Sequence, residues 1–542
     1  MLRKKGVSDP LFLVFLLAAV VLVVASRVQA QERKDAGERA VIGSVYRRPL
    51  GNEPSTLDPA RINDVYSRSV AQQLSDGLVR FDQTLAIAPA LAQFWKSSRD
   101  GLTWTFTLRK GARFHHGREV TTDDVIYSFT RILDPRLKSG AADLFLDVLG
   151  AQEFRDGRAK AVAGLVALDR YTLQVSLKEA QRPFVQVLAV GQAKIVPRDV
   201  VEQRGDAFGA HPVGTGPFKL GHWEHGKEIA LTANRDYHDG PPKLSRIVYR
   251  MFPGDAFDAM YGEFRKGALE DTPIPSQDYR AIIGAKTYLY VKRPIFSVRF
   301  YGFNTRVKPL DDRRVRQALI HAIDREGLIE EIFFGRYTPA HGILPPGTLG
   351  FNPGLEGYAF DPGKARELLA RAGYPEGRGL PLLTVWSSVK PDTVMREHER
   401  IKRYLAAVGV RLDVQYLTDW PTFSRRLSEG TAPIFLYAWF ADVPDPENFL
   451  PRLFHSKSSR NFFGYANPIV DGLFARASQE SDPQRRVDLY RRAEKLILDD
   501  APVIPSLHYT YERLFQPYVR DVEVNGLGDS YISFRKIWLD RR

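Results

Sequence analysis

At 542 residues the chain is too long for one ordinary hydrophobic core, and a prior of roughly 150 residues per domain suggests about three domains. The composition is globular, and the absence of cysteine excludes thiol catalysis, disulfides, Cys-ligated metals and lipidation of an N-terminal cysteine. The formal net charge of +13 is dispersed, which indicates a solvated surface rather than a nucleic-acid-binding tail.

Residues 1–30 have the pattern of a secretory signal peptide. Basic residues at 3–5 precede the apolar block Leu11–Ala25, and Val28–Ala30 supplies the small residues of a cleavage site. The alternative is an uncleaved membrane anchor, but the block is shorter than the ~20 residues that span a bilayer. With no lipid attachment site, we expect the exported chain to be free in a Gram-negative periplasm.

The first elements after this leader follow from apolar spacing and proline punctuation. Ala40–Tyr46 is predicted as a strand, residues 51–64 as a loop, and Val65–Leu78 as a helix with apolar positions four apart. Strict alternation then predicts strands at 102–108 and 171–177. Between them a helix is expected to begin at Thr121 or Thr122, because two aspartates follow in its first turn.

Two motifs in this half imitate functional sites. His115 and His116 are adjacent, so in a strand or turn they point to opposite sides, and no third ligand lies at metal-binding spacing. Gly214–Gly216 is followed by Pro217 and lacks the rest of a phosphate loop, so it is interpreted as a tight turn between strands. We therefore predict no metal and no cofactor.

The second half, from about residue 293, alternates strands and helices in an α/β pattern. The predicted elements are a helix from Asp311 or Asp312 to before Gly335, a helix opened by Asp361 and Pro362, and the strand–helix–strand series 381–386, 393–407 and 410–417. The tail, Ser506–Arg542, returns to strand-like segments, which predicts a chain that crosses between lobes more than once.

One stretch, PIFLYAWFADVPDPENFL from Pro433, suggests a binding site. Ile434–Phe440 is short, apolar and bounded by proline, so it is predicted as a buried strand that delivers Asp442 into a loop. Trp439 and Asp442 together offer an apolar wall and an anion, which suits a ligand with an ammonium group. Alternatively, Asp442 and Asp445 only stabilise the backbone of a proline-rich turn.

Seven stretches occur together in one order along the chain. They are EPSTLDPA at 53–60, DGLTWTFTLRKGARFHHG with TTDDVIYSF at 100–129, VGTGPFKL with NRDY at 213–237, FNTRVKPLDDRRVRQAL at 303–319, DPGKARELLARAGY at 361–374, WFADVPDPENFL at 439–450 and RRVDLYRRAEKLILDDAPVIP at 485–505. In this order they resemble the dipeptide/oligopeptide class of bacterial extracellular solute-binding proteins, family 5 type, which serve ABC importers.

The resemblance implies an α/β fold, the periplasmic-binding-protein clamshell, with two α/β lobes, a small extra domain and mixed sheets. The implied parts are a signal peptide (1–30), the first lobe in three segments (31–79, 196–292 and 509–542), the small extra domain (80–195) and the second lobe (293–508).

The resemblance also implies a function, namely binding a peptide or peptide-like solute between the lobes and delivering it to the importer's permease in the inner membrane. The carboxylate of Asp442, beside Trp439, corresponds to the group that holds the peptide ammonium. By position, Asn63, Asp64 and Val65 in the loop after residue 59 and the aromatic Tyr509 correspond to further ligand contacts.

One departure concerns the far end of the ligand. The oligopeptide-binding type has a basic residue three positions before the tryptophan, where this chain has Leu436. Lys390 or Arg396 is a candidate substitute for that basic residue.

Other functions remain open at this stage. Relatives of this fold bind nickel chelates, cell-wall peptides, haem, sugars or opines, so the fold alone leaves the ligand open. An exported hydrolase is a second class, although the sequence has neither GxSxG nor HExxH. A transcriptional regulator is disfavoured by the leader and by the lack of a helix-turn-helix region. We expect a monomer that binds no nucleic acid.

Overall fold

The computed structural model describes residues 44–180, 184–254, 256–276 and 279–541. The predicted leader and most of the predicted strand Ala40–Tyr46 lie outside these residues. Across the ranges that are described, no helix is both long and apolar enough to cross a membrane.

The strands in chain order are β1 (Val45–Leu50), β2 (Val79–Phe81), β3 (Ile87–Pro89), β4 (Ala92–Ser97), β5 (Thr103–Leu108), β6 (Leu165–Asp169), β7 (Thr172–Ser176), β8 (Phe218–Glu224), β9 (Glu228–Ala233), β10 (Arg246–Met251), β11 (Asp271–Pro273), β12 (Leu289–Pro294), β13 (Ser297–Phe303), β14 (Thr338–Pro339), β15 (Leu383–Ser387), β16 (Leu412–Tyr416), β17 (Ile434–Phe440), β18 (Val503–His508), β19 (Thr510–Phe515), β20 (Val519–Arg520) and β21 (Trp538–Leu539).

The α-helices in chain order are α1 (Val65–Leu74), α2 (Thr122–Leu133), α3 (Ala151–Arg155), α4 (Phe184–Val187), α5 (Arg198–Arg204), α6 (Phe257–Arg265), α7 (Tyr279–Gly284), α8 (Arg313–His321), α9 (Arg325–Phe333), α10 (Pro362–Arg371), α11 (Asp392–Ala406), α12 (Trp420–Ser428), α13 (Leu450–Phe454), α14 (Pro468–Gln479) and α15 (Pro483–Asp500).

These strands form separate sheets along different parts of the chain. A six-stranded mixed sheet has the order β14-β18-β13-β17-β15-β16, with β17 antiparallel to β13 and parallel to β15. Two four-stranded sheets have the orders β1-β10-β9-β8 and β4-β5-β7-β6, and a three-stranded sheet has the order β11-β19-β12. The predicted α/β fold with mixed sheets agrees with this architecture.

The chain passes directly from one sheet to another at two places. Ile295 and Phe296 separate β12 of the three-stranded sheet from β13 of the six-stranded sheet. Tyr509 alone separates β18 of the six-stranded sheet from β19 of the three-stranded sheet. The tail therefore returns to the sheet that contains β11 and β12. The two crossings lie beside the boundaries predicted at 292/293 and 508/509. The assignment of whole lobes stays a prediction.

Several local predictions are confirmed. The strand Ile434–Phe440 has the predicted bounds and lies between β13 and β15, buried over residues 434–437 and exposed at Phe440. Asp361 accepts a hydrogen bond from the backbone NH of Lys364 and caps a helix that has Pro362 at its start. The helix expected at Thr121 or Thr122 begins at Thr122, with Thr121 and Asp124 forming a capping box.

The predicted helix Val65–Leu78 is too long by one turn. The helix ends at Leu74, and the Leu74 carbonyl accepts a hydrogen bond from the Gly216 NH. Val70 and Leu74 pack in one core, whereas Leu78 packs in another core with residues of the 78–195 region. Leu78 is therefore apolar because the extended chain after α1 enters a second core, and its four-residue spacing from Leu74 does not indicate a further helical turn.

The single helix predicted from Asp311 or Asp312 to before Gly335 is also wrong. Asp312 caps α8, which ends at His321, and a separate helix, α9, follows. The break occurs because the Asp324 carboxylate accepts a hydrogen bond from the Gly327 NH and starts the new helix.

The Gly214–Gly216 turn follows a helical segment, Gly205–Gly209, and precedes β8, so the prediction of a turn between two strands is wrong. A Cβ on Gly214 would lie 2.0 Å from the Leu74 carbonyl oxygen, which explains the glycine. His115 Nδ1 accepts a hydrogen bond from the Gly214 NH, and its Nε2 donates to the Gly216 carbonyl. His115 thus has the structural role predicted for it, because it fastens this turn to the segment that follows β5.

Candidate functional site

The loop that follows β17 is held in place by one asparagine. Asn448 accepts a hydrogen bond from Trp439 Nε1 at its carbonyl (2.7 Å) and from the Asp442 NH at its side-chain oxygen (2.9 Å). Val443 is buried and packs into the core formed mainly by residues 60–195. The loop is therefore fixed on both sides, and the half-buried indole of Trp439, which packs against a hydrophobic core, has a structural role in holding it.

The two aspartates of this loop have different environments. Asp445 is buried and forms a bidentate ion pair with Arg486, at 2.8 and 2.9 Å, and it accepts a hydrogen bond from the Glu447 NH. Asp442 is half-buried, and its carboxylate makes no hydrogen bond or ion pair with any residue that the structure describes. Asp445 is thus a structural residue, whereas the carboxylate of Asp442 is available to a ligand.

A cavity of about 390 Å³ lies between the end of β17 and an opposing wall made of β1, α1, α6, β19 and the C-terminal segment. Its most exposed apolar side chains are those of Val65, Phe257 and Phe440. Ala441, which directly precedes Asp442, also lines it. The cavity therefore lies where an apolar or variable part of a ligand can be buried beside the Asp442 loop.

Of the three residues predicted in the first loop, the structure brings Val65 to this cavity. Val65 is 56% exposed and lies on the cavity wall opposite Phe440. Asp64 instead caps α1, accepting hydrogen bonds from the Ser67 NH (2.6 Å) and from the Ser55 hydroxyl (2.8 Å). Asn63 is exposed and, like Asp64, is not part of the cavity lining.

Tyr509 lies behind the cavity wall at the single-residue crossing between sheets. Its ring stacks on Phe440, with the centroids 5.4 Å apart and the planes at 17°, and meets Tyr337 edge-on at 5.1 Å. Its backbone NH donates to the Ser297 hydroxyl. Burial raises the pKa of the Tyr509 phenol to about 12, so the ring acts as a neutral aromatic support.

The structure does not bring Lys390 to the cavity. Lys390 is exposed beyond the end of β15, and its Nζ lies 5.4 Å from the ring centroid of Tyr416 at the end of the outer strand β16. Leu436 is buried in a core of the second half of the chain, so that position is part of the packing rather than of a ligand contact.

Charged residues that the sequence analysis missed lie at the opposite wall. Arg513 contacts Asp271 through Nε at 2.7 Å, and Arg48 forms an ion pair with Asp529. Burial raises the pKa of Asp529, but Arg48 and Arg513 outweigh burial and hold that pKa below its usual value. The sequence offered one signal for these ion pairs, namely the arginines inside strand-like segments, Arg48 and Arg513. It could not identify their partners, because Asp271 and Asp529 lie far away in sequence.

No group of three histidines, aspartates or glutamates suited to a metal ion occurs within the described part of the chain. His116, the neighbour of His115, is half-exposed and lies 3.5 Å from Asp199.

Comparison with known proteins identifies the family. The model of the bacterial extracellular solute-binding proteins, family 5 (middle region), matches residues 86–461. The chain belongs to this family. Family 5 proteins bind solutes for transport, and the predicted fold is confirmed by the likeness to their solved structures.

Similar family 5 proteins are named for different ligands. The dipeptide-binding protein of Escherichia coli is 28% identical over 95% of this chain and 96% of its own length. The heme-binding protein A of Haemophilus influenzae is 29% identical over 97% of this chain and 98% of its own. The structure of the Escherichia coli murein tripeptide-binding protein MppA matches with a TM-score of 0.78 and 27% identity, covering 93% of this chain and 100% of that one.

Proposed function

We propose that this family 5 protein is a periplasmic binding protein that captures short peptides or peptide-like solutes and delivers them to an ABC importer, without catalysing a reaction. The observation that carries the proposal is the half-buried carboxylate of Asp442, which has no partner among the described residues and lies next to the cavity lining. A peptide ammonium supplies the missing charge-assisted hydrogen bonds. The names of the dipeptide-binding and murein tripeptide-binding relatives support the same ligand class.

The rest of the ligand is recognised in a way that tolerates sequence variety. Backbone groups of an extended peptide pair with protein main chain, as in strand addition. Val65, Phe257 and Phe440 provide apolar surface, and water fills space that side chains leave empty. Trp439 and Tyr509 are proposed to support this surface, Trp439 through the loop of Asp442 and Tyr509 through its stack on Phe440. Asn63, Asp64 and Lys390 lie outside the cavity lining and stay predictions from the sequence.

Ligand capture is coupled to movement of two lobes about the crossings at Ile295–Phe296 and Tyr509. The lobes proposed are 31–79, 196–292 and 509–542 for the first and 293–508 for the second, with 80–195 as the small extra domain. In the closed conformation, the two lobes together present a surface that the membrane permease recognises. The protein is a monomer, is exported by the leader at 1–30 and binds no nucleic acid.

Native mass spectrometry of protein purified from its own periplasm tests this proposal. We expect the mass of a chain that begins at Gln31, together with the mass of a bound peptide that is released on denaturation. Recovery of haem, a metal chelate or a sugar in its place would overturn the peptide assignment. Turnover of a peptide or ester library by the purified protein would overturn the absence of catalysis.

A further inference from the structure

Arg68 is a half-buried arginine on the cavity wall that has no counter-charge within ion-pair distance among the described residues. It lies on α1, where Val65, Arg68 and Ser69 share the helix face that lines the cavity. Its guanidinium makes no hydrogen bond or ion pair with the residues that the structure describes, and its Nε is fully buried without a partner. A charge left unpaired in a partly buried site is costly, which is typical of a binding group that its ligand completes.

The other charged residues of the cavity lining are already paired. Glu512 accepts hydrogen bonds from Tyr279 (2.7 Å) and Arg336 (2.9 Å). Arg513 contacts Asp271, and Asp529 pairs with Arg48. Among the charges that line the cavity in the described residues, Arg68 is therefore the one cation without an ion-pair partner.

Arg68 lines the cavity on α1, and Ala441, the residue before Asp442, lines it after the end of β17. Burial raises the pKa of the Tyr531 phenol, Arg68 lowers that pKa and Asp442 raises it, so both charges lie within electrostatic range of one hydroxyl. The Gly191 NH donates to this hydroxyl, and a Cβ on Gly191 would lie 2.9 Å from Arg68 Cγ, so Gly191 leaves room for the arginine side chain. Within the described residues no ion pair joins Arg68 to Asp442.

We propose that Arg68 binds the terminal carboxylate of a short peptide whose ammonium is bound by Asp442, so that the protein selects zwitterions. This inference rests on the proposed function and assigns the far end of the ligand, for which the sequence suggested Lys390. A guanidinium suits this role because it can donate two parallel hydrogen bonds to a carboxylate. The cavity of about 390 Å³ is near the lower end of the ~300–1,000 Å³ usual for small-molecule sites, which favours a short peptide.

The test compares a dipeptide with its C-terminal amide by isothermal titration calorimetry. In the wild type, we expect amidation to weaken binding at least tenfold, because a charge-assisted contact is lost. In Arg68→Gln, acid and amide should bind with nearly equal affinity, and Arg68→Lys should restore part of the preference. Lys390→Gln and Arg476→Gln, the latter on the exposed face of α14, control for the alternative anchor and for net charge.

The outcomes separate this inference from the proposed function. If the wild type binds the dipeptide and Arg68→Gln keeps the full preference for the acid, Arg68 is not the anchor and peptide binding stands. If Lys390→Gln abolishes the preference in place of Arg68→Gln, Lys390 is the anchor. If neither acid nor amide of any peptide in a dipeptide and tripeptide panel binds, the proposed function and this inference both fail.

Discussion

Phe440 and Tyr509 stack face to face, with ring centroids 5.4 Å apart, at the junction of two sheets. Phe440 is the last residue of β17, and Tyr509 is the single residue between β18 and β19. The exposed face of Phe440 lines the cavity while Tyr509 supports its other face. The proposed ligand contact at Phe440 thus lies directly against the residue where the chain passes from one sheet to another.

We expect replacement of Phe440 to weaken ligand binding more than it weakens the fold, whereas replacement of Tyr509, whose phenol is buried, should weaken both. A favourable aromatic pair contributes about 0.5–1.5 kcal/mol to folding beyond its buried area, so Tyr509→Ala should lower the free energy of unfolding by at least this amount. It should also reduce affinity several-fold, because Phe440 loses the ring that supports it. Phe440→Ala should have a similar effect at little cost in stability, because Phe440 is 51% exposed. Calorimetry together with urea unfolding measures both quantities. Tyr509→Phe, which keeps the stack, is the matched control, and unchanged affinity in both alanine variants would refute the role of the pair.

Asp445 is predicted to matter for stability rather than for binding. Asp445→Asn leaves Arg486, which is 6% exposed in its side chain, without its main counter-charge. Breaking a buried ion pair on one side typically costs about 3–5 kcal/mol. Urea unfolding should show a loss of this order. Glu447→Gln, which alters a longer contact of 3.2 Å to the same arginine, should cost less. Equal losses in the two variants would contradict this account.

His115 should make the protein less stable as the pH falls. Burial lowers the pKa of His115 to about 4 in the folded protein, against ~6.5 in an unfolded chain. Between these values the unfolded state binds the proton first, so the free energy of unfolding decreases as the pH falls through this window. Between pH 7 and pH 5 this residue should account for about 2 kcal/mol of the decrease.

Urea unfolding of His115→Gln at the two pH values isolates this component as a difference from the wild type. His116→Gln removes the neighbouring, half-exposed imidazole and serves as the control. If wild type and His115→Gln lose the same free energy between pH 7 and pH 5, the buried ring is not the source.

The sequence was sufficient where a local signal and a tertiary environment agreed. The run Ile434–Phe440 is apolar throughout and ends at polar and proline residues, so its bounds are visible without a structure. Asp361 and Pro362 are likewise a local start signal for α10. Leu78 misled because its spacing continues the periodicity of α1, whereas its side chain belongs to a different core.

The binding surface was less predictable because its parts come from distant segments. In the sequence, Arg68 is an ordinary polar position of a helical pattern. Only the structure shows that it lines the same cavity as Phe440 and Ala441. Asp64 carries a carboxylate beside the cavity region, but only the structure shows that the carboxylate caps its own helix. Asp442 was predicted from the order of the seven stretches that resemble the family. Only the structure shows that its carboxylate has no partner among the described residues.

The most direct measurement of the central claim is a calorimetric cycle on Asp442 with a dipeptide and its N-acetylated form. Acetylation removes the ammonium charge, so the wild type should bind the free dipeptide at least tenfold more tightly. Asp442→Asn should bind the two forms almost equally, with the affinity for the free dipeptide reduced. If Asp442→Asn retains both the wild-type affinity and the full preference for a free N-terminus, Asp442 is not the ammonium anchor.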